Sequence, residues 1–257
     1  MSLFCVTVFG QSGIGDGSVD PEIENAEAVI EKAVEHLGGP VYLNVTTTVG
    51  EGKFSLLKDG RIYSFQSFID VIVYPDKERT DFEERGSKTV QVNTGDTGWI
   101  FEEHLEAFND QSASQVQSFT RSLQSHYDFL LRGNWREEAE LSYIGRRQAS
   151  LGKRNDVVKL EFKDGFAVEY EFDDDGLPMK TIYTLMNSEK LPVTEETRYA
   201  QFIKVRGILT PFIVDRFTND AHTFRVNYES VEYNRRIPDG IFAKPDDTKK
   251  LRKKLKL

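Results

Sequence analysis

Two stretches of the chain carry apolar residues at helical spacing. The first covers residues 21–37, where Asp20 and Pro21 suit a helix N-terminus and Gly38-Gly39-Pro40 suits its end. The second starts at the capping box formed by Ser112 and Gln115 and continues to Leu131. Apolar residues three or four positions apart lie on one face of a helix, so both stretches predict amphipathic helices. The apolar positions are Ile23, Ala26, Ile30, Ala33, Val34 and Leu37 in the first, and Val116, Phe119, Leu123, Tyr127, Leu130 and Leu131 in the second.

The rest of the chain has the pattern of β-strands. In Phe166–Phe172, apolar residues alternate with Glu169 and Glu171, and Asp59-Gly60 is a strong hairpin signal. One apolar and one polar face per strand is typical of an antiparallel sheet. The predicted strands are Val41–Val49, Phe54–Lys58, Arg61–Tyr74, Lys77–Glu84, Lys88–Asn93, Trp99–Phe101, Leu141–Ile144, Val157–Phe162, Phe166–Phe172, Met179–Met186, Arg198–Val205, Ile208–Phe217 and Thr223–Tyr233.

These elements predict a mainly β protein with added helices, in the α+β class. A sheet of about ten or more strands curls rather than staying flat, so we expect an incomplete antiparallel β-barrel. The apolar faces of the two helices need cover, which places them as a lid over a hydrophobic cavity. No composition break or internal repeat divides the chain, so residues 21–248 are predicted to form a single domain.

The two ends differ from this domain. Residues 1–20 open with an apolar run in which Val8 and Gly10 suit the −3 and −1 positions of a signal-peptidase site, so we interpret them as a truncated signal-like or flexible leader. Residues 249–257 form a basic tail with six Lys and Arg residues and no acids. Such a tail is typically solvated, and weak attraction to an anionic membrane surface is the alternative.

Composition narrows the function further. The 257 residues include 33 basic and 42 acidic side chains, a net charge of −9, which disfavours nucleic acid as a partner. The single cysteine, Cys5, excludes an intrachain disulfide, and no apolar run is long enough for a transmembrane segment. No nucleophile elbow, phosphate loop or zinc motif occurs. The sequence therefore predicts a protein that is not an enzyme and needs no cofactor.

Two possible metal sites lack the ligand spacing that a metal ion needs. Glu171, Asp173, Asp175 and Gly176 copy the start of a calcium loop, but the twelfth position is Ile182 rather than Glu, so a hairpin turn is predicted. The four histidines include no pair at metal-ligand spacing. No metal site is expected.

Aromatic residues are abundant, with 18 Phe, 10 Tyr and 2 Trp. They either fill a packed barrel core or line a cavity for an apolar ligand. Under the second reading the cavity-lining, ligand-binding residues are predicted to be Phe65, Phe68, Val71, Trp99, Phe119 and Leu123. The face of Arg61–Tyr74 that lines the cavity is ambiguous, because apolar residues fall on both faces of this strand.

Several segments in this order resemble the periplasmic outer-membrane lipoprotein carrier (LolA-like) superfamily. The resemblance covers roughly residues 22–245 and its motifs are more diagnostic of fold than of activity. The matching segments are Tyr74-Pro75-Asp76-Lys77, Arg79–Glu83, Val92–Phe101, Gly176-Leu177-Pro178, Val205–Ile208 and Ile237–Pro245.

The resemblance implies an unclosed barrel with helices over a hydrophobic cavity. The best-known member of the superfamily carries lipoprotein acyl chains across the periplasm, and related members bind other lipids or regulate envelope-stress signalling. In the lipoprotein carrier an Arg implicated in latching the lid precedes the strand-ending Pro. Here Tyr74 stands at that position, so the release step differs from the family pattern.

Two functions follow as expectations. The first is a soluble, exported periplasmic carrier for lipoprotein acyl chains or other lipids of the bacterial envelope. The alternative is an envelope protein-interaction or stress-sensing module with the same fold and no catalysis, whose partner is a protein.

Overall fold

The computed structural model describes residues 21–251 together with Leu255 and Leu257. The predicted leader at residues 1–20 lies outside these residues, and so do residues 252–254 and 256 of the predicted basic tail.

Thirteen antiparallel strands form one open sheet, and this confirms the predicted α+β class and incomplete barrel. The order across the sheet is β6-β5-β4-β3-β2-β1-β13-β12-β11-β10-β9-β8-β7. Successive strands are neighbours except β6 and β7, which form the two edges, and the last strand pairs with the first. The strands are β1 (Thr47–Lys58), β2 (Arg61–Val73), β3 (Lys77–Glu84), β4 (Ser87–Thr94), β5 (Thr97–Glu102), β6 (Ala107–Asp110), β7 (Ala139–Ser150), β8 (Lys153–Phe162), β9 (Ala167–Phe172), β10 (Pro178–Met186), β11 (Pro192–Val205), β12 (Ile208–Thr218) and β13 (Ala221–Tyr233).

Within the described residues four α-helices accompany the sheet: α1 (Pro21–Leu37), α2 (Pro40–Leu43), α3 (Ala113–Ser125) and α4 (Tyr127–Leu131). The prediction of a strand from Val41 is wrong at its start, because Pro40 begins the short helix α2 and the strand begins at Thr47. Pro at the first position suits a helix, since its missing N–H would have no helical partner there. The segment Ala107–Asp110, for which the sequence analysis predicts no element, is the edge strand β6.

The second predicted helix is interrupted at His126. Its start is confirmed, since Ser112 and Gln115 form the capping box of α3. His126 is extended, with φ −76° and ψ 140°, and its Nδ1 accepts a hydrogen bond from the backbone N–H of Asp128 at 3.2 Å. The side chain therefore caps a new helix, α4, and turns the chain between two helical segments.

The sheet is covered on both faces. On the helix face, α1, α2 and α4 pack against β7–β12, where Ala26, Leu37, Leu130 and Tyr170 are among the buried residues. The opposite face of β1–β5 is covered by described residues of the C-terminal segment, and Phe242 and Leu251 share an apolar cluster there with Val71 and Trp99. We call these two surfaces the helix face and the C-terminal face.

The helices α3 and α4 link the two edges of the sheet along the chain, since β6 precedes them and β7 follows them. α3 is lightly buried: Phe119, Gln124 and Ser125 are its buried residues. By contrast α1 buries Ala26, Ile30, Ala33 and Leu37 in the main core. The segment that crosses the opening of the sheet is thus the less firmly packed one.

Candidate functional site

A cavity of about 190 Å³ lies on the helix face between α3–α4 and strands β2, β3, β12 and β13. Its position follows from the chain path, because α3 and α4 cross from one sheet edge to the other above the central strands. Its walls combine apolar side chains with polar and charged ones, among them Asp70, Glu78, His126, Asp128 and Arg132. The apolar wall residues are Ile72, Leu123, Phe129, Val214 and Val226.

A second cavity of about 180 Å³ adjoins the first and shares Asp70, Glu78, Val226 and Tyr228 with it. We call the two together the helix-face groove. The second part is largely aromatic, because five of its wall residues carry rings: Phe54, Phe68, Phe82, Phe224 and Tyr228. Phe54 contacts both Phe82 and Phe224, with ring centroids 5.4 Å and 5.1 Å apart.

A glycine makes room for the central ring of the groove. A Cβ atom at Gly50 would stand 2.5 Å from the ring of Tyr228, closer than any side-chain contact allows. Tyr228 therefore lies across β1 at this point and meets Phe68 edge to face, with centroids 5.5 Å apart. A glycine inside a strand often marks such a close approach. The sequence shows Gly50 and Gly52 inside the strand. It does not show that the Tyr228 ring requires a glycine at position 50.

The inner end of the groove holds a cluster of hydrogen bonds around Asp128 of α4. The hydroxyls of Tyr42 and Tyr74 each donate to its carboxylate, the latter at 2.7 Å. Arg132 lies one turn further along, with Nε 3.8 Å from Asp128 and its guanidinium 4.0 Å from the centre of the Tyr74 ring. This cluster fixes α4 to the end of β2 and to α2.

Burial sets the protonation states in this cluster. It raises the pKa of Tyr42 and of Tyr74 well above the usual value, and the nearby Asp128 adds to the effect. Burial also lowers the pKa of His126. The two phenols therefore stay protonated as donors, while Arg132 donates to the backbone oxygen of Val45 at 2.9 Å. The charges at this end are matched within the cluster.

Two carboxyl groups stand at the junction of the two parts of the groove. Asp70 on β2 lies opposite Thr80 of β3. Glu78 lies two residues before Thr80 on β3, opposite Ile72. The Thr80 hydroxyl lies 2.8 Å from Oδ1 of Asp70 and 3.4 Å from Oε1 of Glu78. Burial and the neighbouring Glu78 raise the pKa of Asp70 well above its usual value, and burial raises that of Glu78.

Two other cavities have less suitable walls for an apolar ligand. One of about 310 Å³ on the C-terminal face is lined mainly by charged side chains, including Glu51, Lys53 and Glu83. One of about 690 Å³ beside α3 is lined mostly by polar residues such as Asp110 and Gln117. An alkyl chain gains free energy from apolar walls, which favours the helix-face groove.

The structure brings two of the six predicted lining residues into the groove. Leu123 lines its inner part and Phe68 its aromatic part. Val71 and Trp99 lie on the C-terminal face, where they pack under Phe242 and Leu251. The remaining two are Phe65, which is exposed, and Phe119, which is buried on α3.

The polar residues of the groove were absent from the sequence prediction. The sequence does mark Asp70 as a candidate, because it is the one charged residue inside the apolar run from Phe68 to Ile72. It also marks Asp128 and Arg132, as an acidic and a basic residue four positions apart beside an apolar helical stripe. Glu78 lies in a strand with several other charged residues, so no signal in the sequence sets it apart.

The helices over an open antiparallel sheet match known structures. A DUF1329 family protein from Desulfovibrio piger superposes with a TM-score of 0.61 at 14% identity, over 85% of this chain and 97% of that one. A LolA superfamily protein from Nitrosomonas europaea gives a TM-score of 0.58 at 16% identity, with the same coverage. No family model and no curated protein sequence matches the chain. The chain therefore has a LolA-like fold, as its sequence motifs predicted.

Proposed function

We propose that the protein is a carrier that binds the acyl chains of lipids or lipoproteins in the helix-face groove. The observation that carries the proposal is the groove itself, an apolar space between α3–α4 and the sheet of a LolA-like fold. Burial of an acyl chain is worth about 0.8 kcal/mol per CH₂ group, so an apolar lining alone supplies the affinity of a carrier. The proposal includes no catalytic step.

The groove is small in this state. Its two parts, of about 190 and 180 Å³, are each below the usual range of ligand pockets, which is roughly 300–1,000 Å³. A long chain therefore requires α3 and α4 to move away from the sheet. The light burial of α3 suits this movement, since weakly packed elements open at low cost.

We place the carrier in the bacterial periplasm. The signal-like pattern of residues 1–20 supports an exported protein, and the fold neighbours include a LolA superfamily protein. No helix in the described part of the chain is long and apolar enough to cross a membrane.

A second candidate function has one specific observation in its favour. At the tip of the β1–β2 hairpin, Ile62, Tyr63 and Phe65 are 59%, 65% and 55% exposed. Clustered exposed apolar residues are typical of a surface that binds a partner. This patch supports the envelope protein-interaction or stress-sensing module, with the groove filled by its own side chains.

Native mass spectrometry of gently purified protein, followed by lipid extraction, separates the two. A carrier retains acyl species near one per chain, or takes up added phospholipid. The Leu123→Glu variant, which places a charge in the groove wall, loses this uptake, while Leu151→Glu, a change at a fully exposed turn, keeps it. A wild-type protein that neither retains nor takes up lipid contradicts the carrier and favours the interaction module.

A further inference from the structure

We infer that the groove takes an organic ammonium group at Asp70 and Glu78, so that its ligand is an alkyl or acyl chain bearing a cationic head. The inference rests on the proposed function, because it assigns a chemical class to the ligand of the same groove. It follows from three features of the groove: the unmatched carboxyl pair, the surrounding rings and the placement of the basic residues.

The two carboxyl groups lack internal compensation. Asp70 is only 8% exposed, and in the described part of the chain no basic side chain lies within ion-pair distance of Asp70 or Glu78. The Thr80 hydroxyl has one hydrogen to donate, and its shorter contact is to Asp70. Glu78 then keeps only the longer contact to this hydroxyl, at 3.4 Å. Carboxylates shielded from water without a basic partner bind either protons or a cation.

Aromatic rings enclose the carboxyl pair. Phe68 on β2 and Tyr228 on β13 meet across the intervening strand β1, and Phe54, Phe82 and Phe224 complete the lining. Ring faces attract cations through their quadrupole, and aromatic cages are a common way to bind ammonium groups. Burial and the charges of Asp70 and Glu78 raise the pKa of Tyr228, which thus stays neutral and adds no competing charge. The outer part of the groove combines the two features that recognise an ammonium group.

The basic residues of the groove, Arg132 and His126, line its first cavity together with Asp128, and they do not line the aromatic one. Arg132 is already engaged by the Asp128 carboxylate and by the carbonyl oxygens of Tyr42 and Val45. A ligand cation at Asp70 therefore meets no positive charge from Arg132 close by, whereas an anionic head at the same point meets two carboxyl groups. The arrangement selects against fatty acids and for amines.

Isothermal titration calorimetry with three ten-carbon ligands tests the inference. The ligands are decyltrimethylammonium, decanol and decanoate, each well below its aggregation concentration, with the full chain at neutral pH. We expect decyltrimethylammonium to bind roughly tenfold or more tighter than decanoate, with decanol between them. In the Asp70→Asn/Glu78→Gln variant this preference is lost and decanol binding is unchanged within about twofold.

A charge-matched control excludes a general effect of the acidic protein. The Glu51→Gln/Glu83→Gln variant removes the same charge from the C-terminal face, where both residues line another cavity. It keeps the preference if the groove pair is responsible. Equal affinity for the three ligands, a preference for decanoate, or a preference lost in the control variant overturns the ammonium site but leaves the carrier. Binding of none of the three overturns the carrier and the inference together.

Discussion

The hydroxyl of Tyr74, just past the end of β2, donates a 2.7 Å hydrogen bond to Oδ2 of Asp128 on α4. Tyr74 occupies the position where the lipoprotein carrier that this sequence resembles has the Arg implicated in latching its lid. The guanidinium of Arg132, at the C-terminal end of α4, lies over the Tyr74 ring. Tyr74 therefore joins the end of β2 to α4 through both its hydroxyl and its ring.

Removing the Tyr74 hydroxyl should loosen α4. We expect Tyr74→Phe to lower the free energy of unfolding by roughly 1–3 kcal/mol, because Asp128 loses a buried donor. We also expect faster uptake and release of a bound alkyl chain. Urea unfolding and stopped-flow measurement of ligand exchange check the two effects.

The matched control is Tyr143→Phe, which removes a hydrogen bond of the same length, 2.7 Å, to Asp156 far from the groove. This variant should lose stability without changing the exchange rate. Equal exchange rates in Tyr74→Phe and wild type would show that the contact stabilises the fold but does not control the lid.

The glycine beneath the groove floor gives a second prediction. In Gly50→Ala the new methyl group meets the Tyr228 ring, so the ring moves into the groove and fills space that a ligand needs. We expect at least roughly tenfold weaker binding of decanol, measured by calorimetry. Gly60→Ala is not a suitable control because Gly60 has a φ of 72°. Gly240→Ala is suitable, since its Cβ would meet no atom within 4 Å. Unchanged affinity in Gly50→Ala would contradict the position assigned to the ligand.

Asp70 should make stability fall as the pH rises. Its pKa in the folded protein is held well above the usual 3.8 by burial and by Glu78. Between the usual and the raised pKa the folded chain binds the proton and the unfolded chain does not, so the contribution of Asp70 to stability is lost as pH increases through that window. The groups facing Asp70 are Glu78, Thr80 and Tyr228, with Asp128, Arg132 and His126 at the far end of the groove.

The variant Asp70→Asn removes this titration. We expect it to be more stable than wild type at pH 7, by about 1 kcal/mol or more, and the difference to shrink towards pH 4. Urea unfolding across this range measures it. Asp81→Asn is the opposite case, because Asp81 on the C-terminal face pairs with Arg79 at 2.7 Å and Lys88 at 3.7 Å and its loss should destabilise. A destabilised Asp70→Asn at pH 7 would contradict the account of the carboxyl pair.

The lid should be the least stable part of the domain. Amides of α3 should exchange with deuterium faster than those of α1, because α1 buries Ala26, Ile30, Ala33 and Leu37 while α3 buries little beyond Phe119. Added decanol should slow exchange in α3 and α4 selectively. Uniform exchange in the two long helices, with no change on ligand addition, would argue against an opening at α3.

Part of the fold could be predicted from the sequence because some strands have a more exposed face. In β9 Val168 and Tyr170 are buried and Glu169 is half-buried, as the alternation predicts, but Glu171 is fully buried, where it pairs with Arg147 and Lys180. The Asp59-Gly60 hairpin is confirmed, since both residues adopt the positive φ that this turn requires. The capping box at Ser112 likewise gives the start of α3. These signals are local and depend on a few neighbouring residues.

The residues that line the groove could not be predicted from the sequence, because the strand β2 has no polar face. β2 is covered on both faces, by the helices on one side and by the C-terminal segment on the other, so its side chains are apolar in both directions. The sequence therefore gave no way to separate Phe68, which lines the groove, from Val71, which packs under Phe242. The contact that separates them joins residues about 170 positions apart, which no local pattern encodes.

Photoaffinity labelling with a long-chain alcohol that carries a diazirine, followed by peptide mapping, tests the central claim most directly. The groove predicts saturable labelling, competed by decanol, in peptides of β2, β13 and α3 that contain Phe68, Leu123 and Tyr228. Labelling confined to the exposed hairpin around Ile62–Phe65, or to the C-terminal face around Val71 and Trp99, contradicts it, and so does labelling that decanol does not compete.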